Sequence, residues 1–220
     1  MRTVAIILAA GMGARYGAPK QFVSVHNKPI LAHTVKKFDG FTKFITVQSE
    51  LMPIAEGIAK EHDFDDFDFV AGGSSRQESV KNALEAACKY QTPDNVVITD
   101  ANRPLISREN IQKGVWLLEG CDCVVSVCKA TNTVCQFNDG YKVLPRATMY
   151  ELLMPQFFKF KKIYEAHALT TEVDITDDSQ LVAEGRVRLL DISFWEGLKL
   201  THFSDYKIFE LLLKPNKENE

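Results

Sequence analysis

The sequence predicts a single α/β domain with a mainly parallel, twisted, Rossmann-like sheet and one inserted β-hairpin arm. Short apolar runs typical of buried strands alternate along the chain with segments in which apolar residues recur at helical spacing. The chain has 220 residues, of which 45% are hydrophobic, so it is long enough to bury one substantial core. We therefore expect one domain over residues 1–220, with the arm at about 131–158.

The first strand is predicted at residues 4–10, where seven apolar residues lead directly into glycines. Later apolar runs predict strands at 44–47, 67–70, 96–99 and 123–128. Helices are predicted at 31–38, from about Gln77 onward and at 205–214; the second of these carries Val80, Ala83, Leu84 and Ala87 as one apolar stripe. In a sheet built from such strand–helix–strand units, ligands bind beyond the carboxyl ends of the strands.

The arm is predicted where this alternation breaks. Two short alternating segments flank the turn Asn138-Asp139-Gly140, and Asp-Gly between such segments is a hairpin signal. A hairpin inserted in a parallel fold is suited to meeting a partner or covering a site.

Charge and composition exclude several classes of partner. The formal net charge is −3 and the basic residues are scattered, so we expect no nucleic-acid or membrane partner. The apolar run at the start is too short for a membrane span, and the five cysteines show neither a Cys-x-x-Cys pair nor zinc-finger spacing. We expect a soluble, cytoplasmic protein with reduced thiols.

A glycine-rich loop after the first strand is the strongest functional signal. It runs from Ala9 and Ala10 to Gln21, and backbone N–H groups at Gly11, Met12, Gly13 and Ala14 can approach phosphate oxygens closely, while Arg15 and Lys20 add positive charge. It is not a Walker loop, because Lys20 is followed by Gln21. It is not the dinucleotide fingerprint either, because Tyr16 stands where that pattern needs glycine.

Asp100 follows the apolar run at 96–99, which places a carboxylate at the carboxyl end of a predicted parallel strand. Mg²⁺ is bound in proteins by one or two carboxylates together with phosphate oxygens, so Asp100 is a candidate metal ligand. The alternative is an aspartate that only begins a turn or caps the next helix.

The loop resembles that of the nucleotidyltransferase family containing 2-C-methyl-D-erythritol 4-phosphate and ribitol-5-phosphate cytidylyltransferases, and further segments match in the family's order. These segments are Gly72-Gly73-Ser74-Ser75-Arg76-Gln77-Glu78-Ser79-Val80, Thr99-Asp100-Ala101-Asn102-Arg103-Pro104, Thr131-Asn132-Thr133 with Arg146, Met154-Pro155-Gln156-Phe157-Phe158, Ile175-Thr176-Asp177-Asp178 and Gly197-Leu198-Lys199-Leu200-Thr201.

The resemblance implies transfer of CMP from CTP to a polyol phosphate, with Mg²⁺ as cofactor and pyrophosphate as the second product. It implies catalytic roles for Arg15, Lys20 and Lys199, although alternation alone would equally describe a Lys199 on a solvated face. The implied nucleotide-binding residues are Ala9, Ala10, Gly11, Met12, Gly13, Ala14, Gly72, Gly73, Arg76, Ser79, Asp100 and Ala101, of which Ser79 could be only a first-turn helix residue. The implied acceptor-binding residues are Arg103, Thr133, Arg146 and Thr176. In the family the arm reaches a neighbouring subunit, which implies a homodimer.

The chain departs from the family pattern at Thr99 (usually His), Asn102 (usually a small apolar residue) and Met154 (usually Thr). Because Asn102 and Met154 change hydrogen bonding and side-chain volume close to functional segments, we expect an altered acceptor pocket, with ribitol 5-phosphate as first candidate and 2-C-methyl-D-erythritol 4-phosphate as second. The alternatives from other classes are an NAD-binding Rossmann oxidoreductase and a non-catalytic nucleotide-binding relative of the family.

Overall fold

A computed structural model describes residues 1–13, 16–171 and 175–213. Its centre is a seven-stranded sheet in the order β11-β7-β10-β6-β1-β4-β5. The strands are β1 (Thr3–Leu8), β4 (Thr42–Val47), β5 (Phe67–Ala71), β6 (Asn95–Asp100), β7 (Cys123–Lys129), β10 (Tyr150–Lys159) and β11 (Val187–Asp191). Two small hairpins complete the strands: β2 (Ser24–Val25) with β3 (Lys28–Pro29), and β8 (Cys135–Phe137) with β9 (Tyr141–Val143).

The strands predicted from apolar runs are all present in the sheet. β1 pairs in parallel with β4 on one side and β6 on the other, and β5 extends the sheet in parallel beyond β4. Every residue of β6 is buried, as expected for a strand covered on both faces. The prediction of a mainly parallel sheet is therefore confirmed.

Helices cover both faces of this sheet. They are α1 (Ile30–Val35), α2 (Met52–Glu61), α3 (Arg76–Gln91), α4 (Arg108–Leu117), α5 (Phe160–Leu169) and α6 (Tyr206–Leu212). Alternate residues of β1 point to opposite faces: Ala5 and Ile7 belong to one apolar cluster, Val4 and Ile6 to the other. In the described part of the chain, no helix has the length and apolar character needed to cross a membrane.

Two strands of the central sheet, β10 and β11, were not predicted from the sequence, and neither was the small hairpin of β2 and β3. β10 runs antiparallel between β6 and β7, with a register irregularity between Leu152 and Gln156, and β11 pairs in parallel with β7 at the sheet edge. The apolar stretch of β10 contains Pro155, which cannot donate a ladder hydrogen bond, so its sequence does not read as a central strand.

The arm is shorter than predicted. A hairpin does form around the turn Asn138-Asp139-Gly140, with Phe137 opposite Tyr141. The predicted range of about 131–158 is wrong at its end, because residues from Tyr150 onward are the central strand β10. The arm therefore consists of residues 130–149, between β7 and β10.

Candidate active site

A pocket of ≈ 330 Å³ opens beyond the carboxyl ends of β1, β4 and β6. This is where a doubly wound sheet presents its loops to ligands, and the volume is within the range for small-molecule sites. Most of the residues predicted for the nucleotide line it. The lining is Leu8, Ala9, Ala10, Gly11, Met12, Lys20, Gln21, Thr46, Gln48, Gly73, Ser74, Ser75, Arg76, Ser79, Asp100, Ala101, Asn102 and Lys199.

The glycine-rich loop is held in shape by its own backbone and by Gln21. The buried Gln21 donates its side-chain amide to Ala9 O at 2.8 Å and to Gly11 O at 3.0 Å. Gly13 adopts φ 70°, and a Cβ there would lie 1.8 Å from Ala18 O, so only glycine fits. Sequence reasoning missed Gln21 as a functional residue. The signal available in the sequence was an amide side chain directly after the loop lysine; its burial is known only from the structure.

Two predicted loop residues, Ala14 and the catalytic candidate Arg15, lie outside the described residues. Lys20 begins a short 3-10 helix, Lys20–Phe22, at the mouth of the loop and lines the pocket as predicted.

The segment before α3 forms the opposite wall. Gly72 lies so close to the loop that an added Cβ would stand 2.4 Å from the Cβ of Ala10. Ser79 is a first-turn residue of α3 whose hydroxyl accepts from Gly73 N at 3.0 Å and donates to Ser75 O at 2.9 Å. Ser79 thus stabilises the turn before α3 and also lines the pocket, and its contact with the nucleotide stays a prediction. Gln48, which the sequence did not flag, donates to Gly73 O at 3.0 Å and fixes this wall to β4.

A cluster of charges lies at the carboxyl end of β6. Asp100 Oδ2 is 2.9 Å from Lys199 Nζ and 3.1 Å from Arg103 Nε. Burial raises the pKa of the Asp100 carboxyl, but the positive charges of Lys199, Arg103 and Arg76 outweigh burial and hold that pKa below its ordinary value. Lys199 is thus directed into the pocket and is not on a solvated face, and Asp100 is ionised there at neutral pH.

Arg76 is part of a buried network that the sequence did not predict. Its Nη2 lies 2.6 Å from Asp178 Oδ2, and Asp178 Oδ1 lies 3.1 Å from His167 Nε2 on α5. The side chains of Asp178 and His167 are almost fully buried. Burial raises the pKa of Asp178, but the hydrogen bond with His167 and the charge of Arg76 outweigh it, so the pKa is lowered. The network holds the Arg76 side chain in place where it lines the pocket.

The predicted acceptor residues separate into two groups. Arg103 joins the Asp100 cluster and also donates through Nη1 to Gly197 O. Thr133 and Arg146 are exposed on the arm and do not line the pocket of their own chain, and Thr176 is exposed as well. One chain therefore brings together most of the residues predicted for the nucleotide but leaves the arm residues predicted for the acceptor outside this pocket.

The departures from the family pattern have different surroundings. Asn102 is buried at the pocket wall, and its side-chain amide donates to Leu200 O at 2.6 Å. Thr99 is fully buried and points away from Asp100 along β6. Met154 is buried within β10 and does not line the pocket. Only Asn102 therefore reaches the pocket.

The acidic, histidine and cysteine side chains at the pocket decide whether Mg²⁺ could bind there. Among residues 1–13, 16–171 and 175–213, no three His, Cys, Asp or Glu side chains gather into a metal site. In the described part of the chain, Asp100 is the one carboxylate that lines the pocket, together with residues of the glycine-rich loop. That set fits Mg²⁺, which takes few protein carboxylates when phosphate oxygens and water supply the other ligands, and it does not fit a structural metal.

Comparison with known proteins agrees with this geometry. A family model described as IspD, 2-C-methyl-D-erythritol 4-phosphate cytidylyltransferase, matches residues 3–215. Proteins named 2-C-methyl-D-erythritol 4-phosphate cytidylyltransferase are similar along almost their whole length. The one from Petrotoga mobilis is 33% identical, over 96% of this chain and 98% of that protein. The one from Clostridium acetobutylicum is 33% identical, over 96% and 97%.

Solved structures share the fold. The 4-diphosphocytidyl-2C-methyl-D-erythritol synthase of Anaerococcus prevotii superposes with a TM-score of 0.84 at 24% identity, covering 97% of this chain and 96% of that one. The 2-C-methyl-D-erythritol 4-phosphate cytidylyltransferase of Thermus thermophilus superposes with a TM-score of 0.79 at 25% identity, covering 97% and 99%.

Proposed function

Because the chain belongs to the 2-C-methyl-D-erythritol 4-phosphate cytidylyltransferase family, we propose that it transfers CMP from CTP to 2-C-methyl-D-erythritol 4-phosphate and releases pyrophosphate. The observation that carries the proposal is the pocket that joins the glycine-rich loop, Lys20 and the Lys199–Asp100 pair. A cytidylyltransferase needs such a site, because the reaction requires positioning and stabilisation of phosphate charge more than covalent chemistry.

In the proposed reaction a phosphate oxygen of the acceptor attacks the α-phosphorus of CTP, and the bond to the β-phosphate breaks as pyrophosphate leaves. The loop N–H groups and Lys20 bind the triphosphate on one side. Lys199 lines the same pocket, next to Asp100. Together, Lys20 and Lys199 stabilise the charge that develops in the transition state.

Mg²⁺ bound by Asp100 and phosphate oxygens would neutralise further charge on the triphosphate. Asp100 is held ionised by Lys199, Arg103 and Arg76, so it is ready to act as a ligand at neutral pH.

The acceptor proposal revises the order that the sequence suggested. Ribitol 5-phosphate was the first candidate because of the three departures, but only Asn102 of these lies at the pocket. The similar proteins carry the name of the methylerythritol enzyme, so this acceptor takes first place. The NAD-binding alternative is not supported, because the family match covers residues 3–215 and the loop lacks the dinucleotide glycine at Tyr16.

We further propose that the active form is a cytoplasmic homodimer in which each arm reaches the partner's pocket. Phe137, Tyr141 and Val143 expose 76%, 70% and 51% of their surface on the arm, which is costly in water and favours burial against a second chain. Thr133 and Arg146 are on the same arm, outside their own pocket. Light scattering should give the mass of two chains, and Phe137→Asp with Tyr141→Asp should give that of one.

The test of the reaction uses purified enzyme with Mg²⁺, each of CTP, UTP, ATP and GTP, and each of the two polyol phosphates. We expect pyrophosphate and a CDP-polyol, identified by mass spectrometry, only with CTP and 2-C-methyl-D-erythritol 4-phosphate. A higher kcat/KM with ribitol 5-phosphate would overturn the acceptor assignment. Absence of product from every pair, with CTP bound, would overturn the proposed reaction for these acceptors.

A further inference from the structure

Lys199 lies in a part of the chain that has no regular secondary structure. Residues 192–201, between β11 and the start of the C-terminal helical segment, form neither a helix nor a strand. A lysine on such a segment has many accessible conformations, and ordering a long flexible side chain costs conformational entropy. The 2.9 Å approach of Lys199 Nζ to Asp100 Oδ2 therefore requires tethers elsewhere in the segment.

Two hydrogen bonds tether this segment at the residue next to Lys199. Leu200 N donates to the backbone oxygen of Asn102 at 3.0 Å, and the Asn102 side-chain amide donates to Leu200 O at 2.6 Å. One residue thus satisfies both backbone groups of Leu200, as a neighbouring strand would. Asn102 is 5% exposed and Leu200 is fully buried, so water does not replace these bonds easily.

The position of Asn102 links this tether to the reactive groups. It follows Asp100 by two residues in the turn after β6, so one short piece of backbone carries both the carboxylate and the tether. Lys199 is the residue before Leu200, and its side chain returns to Asp100. The separation of lysine and carboxylate is therefore set by a closed ring of contacts through Asn102.

A second tether holds the same segment farther from Lys199. Glu196 accepts from Ser107 N at 2.9 Å and from the Asn110 side-chain amide at 2.9 Å, at the N-terminus of α4. Asn102 and Asn110 are thus two asparagines that hold one segment, but only Asn102 binds next to Lys199. Substituting each asparagine in turn therefore separates the positioning of Lys199 from the attachment of the segment as a whole.

We propose that Asn102 is a positioning residue for Lys199: its side-chain amide fixes Leu200 so that the Lys199 ammonium stands where the α-phosphate reacts. This inference rests on the proposed function and deepens it. The small apolar residue that the family resemblance implies at this position has no side-chain donor, so this way of holding Leu200 O depends on the asparagine of this chain.

Two substitutions test the proposal. Asn102→Ala and Asn102→Val both remove the side-chain hydrogen-bond donor. Valine keeps much of the asparagine volume, so if one variant fails to fold, the other still tests the proposal. We expect kcat to fall on the order of 10- to 100-fold, because small misplacement of a catalytic group costs rates of this size. The KM for CTP should change by less than about threefold, because the loop residues that bind the nucleotide are untouched.

Asn110→Ala is the control. It releases Glu196 from one of its partners but leaves the Leu200 bonds in place. Its kcat should stay within about twofold of wild type, with melting temperature measured for all variants. Wild-type kcat in both Asn102 variants, or an equal loss in Asn110→Ala, would overturn the positioning role.

A second measurement does not depend on the acceptor. Acetic anhydride modifies free lysine amines, and mass spectrometry gives the rate at each lysine. We expect Lys199 to be modified several-fold faster in Asn102→Ala than in wild type, with other lysines unchanged, because its ion pair with Asp100 is loosened. An unchanged rate at Lys199 refutes the tether even in an active enzyme, whereas faster labelling in an enzyme inactive on both acceptors supports the tether and refutes only the proposed reaction.

Discussion

The positive charge of Lys20 was predicted from the sequence, but its place in the pocket is known only from the structure. Lys20 lines the pocket at the end of the glycine-rich loop, and Lys199 lines the same pocket. Residue type and spacing predicted Lys20 as a cation of the glycine-rich loop, whereas the role expected of Lys199 came from the family resemblance, because alternation alone also allowed a solvated face.

Lys20→Ala should lower kcat/KM roughly 10²- to 10³-fold, since it removes positive charge from the developing pyrophosphate. Steady-state kinetics with pyrophosphate detection measures this, and circular dichroism checks the fold. Lys161→Ala, which changes a lysine 84% exposed on α5, is the control and should keep wild-type kinetics. Wild-type turnover in Lys20→Ala would remove its catalytic role.

The network of Arg76, Asp178 and His167 could not be predicted residue by residue. Arg76 and Asp178 are 102 positions apart, and His167 belongs to α5, where it reads as an ordinary core histidine. They meet because α3 packs against α5 and the short 3-10 helix Asp178–Val182 packs against α5 as well.

Asp178 should contribute to a pH-dependent part of the stability. Its pKa is lowered in the folded protein, whereas an unfolded aspartate titrates near about 3.9. A lowered folded pKa means that the stabilisation is fully present above the unfolded pKa and is lost as the pH falls through the folded pKa. Urea unfolding of wild type should therefore show a falling free energy of unfolding below about pH 4.

Asp178→Asn should destabilise the protein at pH 7 by about 3 kcal/mol, because it leaves Arg76 without its buried partner. The difference between variant and wild type should shrink as the pH falls below about 4. Asp139→Asn, in the exposed arm turn, should follow the wild-type curve at every pH. A difference for Asp178→Asn that is constant with pH would contradict this account.

At the level of elements, the parallel core was predictable because each of its strands is a run of buried apolar residues. β6 is the clearest case, with all of its residues buried and Asp100 at its end. β10 was not predicted because Pro155 interrupts its strand pattern. Its register irregularity before Gln156 and its pairing with β6 and β7 are visible only in the structure. The end of the arm was misplaced for the same reason.

The glycine-rich loop is an element whose shape depends on one backbone position. Gly13→Ala combines a positive φ with a contact of 1.8 Å to Ala18 O, so the loop must move. We expect the Kd for CTP, measured by calorimetry, to rise on the order of 10-fold or more, because the loop N–H groups would no longer point toward the phosphate oxygens.

Gly17→Ala is the matched control for this loop. Gly17 also has a positive φ, of 88°, but an added Cβ would meet nothing within 4 Å. Its cost is therefore backbone strain alone, about 1 kcal/mol, with a smaller effect on CTP binding. Equal effects of the two substitutions would mean that backbone strain, and not the clash at Gly13, controls the loop.

At the level of the whole molecule, most of the residues predicted for the nucleotide line one pocket, whereas Thr133 and Arg146, predicted for the acceptor, lie on the arm outside it. Arg146 is exposed on the arm, where its Nη1 donates to Thr131 O at 3.2 Å. Sequence reasoning from a single chain can place a residue on an arm, but it cannot show which copy of the pocket the arm reaches.

Arg146→Ala should raise the KM for the acceptor phosphate roughly 10-fold or more, because a charged hydrogen bond to the phosphate is lost. The KM for CTP should not change. Mixing Arg146→Ala with a Lys199→Ala variant tests the arm exchange: in a mixed dimer one pocket holds both intact residues, so activity should reappear. An effect of Arg146→Ala confined to CTP would refute the acceptor role.

The place of β10 in the sheet also sets an order for assembly during synthesis. β1, β4, β5 and β6 are complete once residue 100 has left the ribosome, and they are adjacent in the sheet. β7 comes next in the chain, yet it cannot join β6, because β10 must first arrive between them. Until then the outer edge of β6, entirely apolar from Val96 to Ile98, remains an open template for strand pairing. A nascent chain paused between residues 100 and 150 is therefore the form of this protein most exposed to misassociation, and a chaperone that binds extended apolar segments would find its target there.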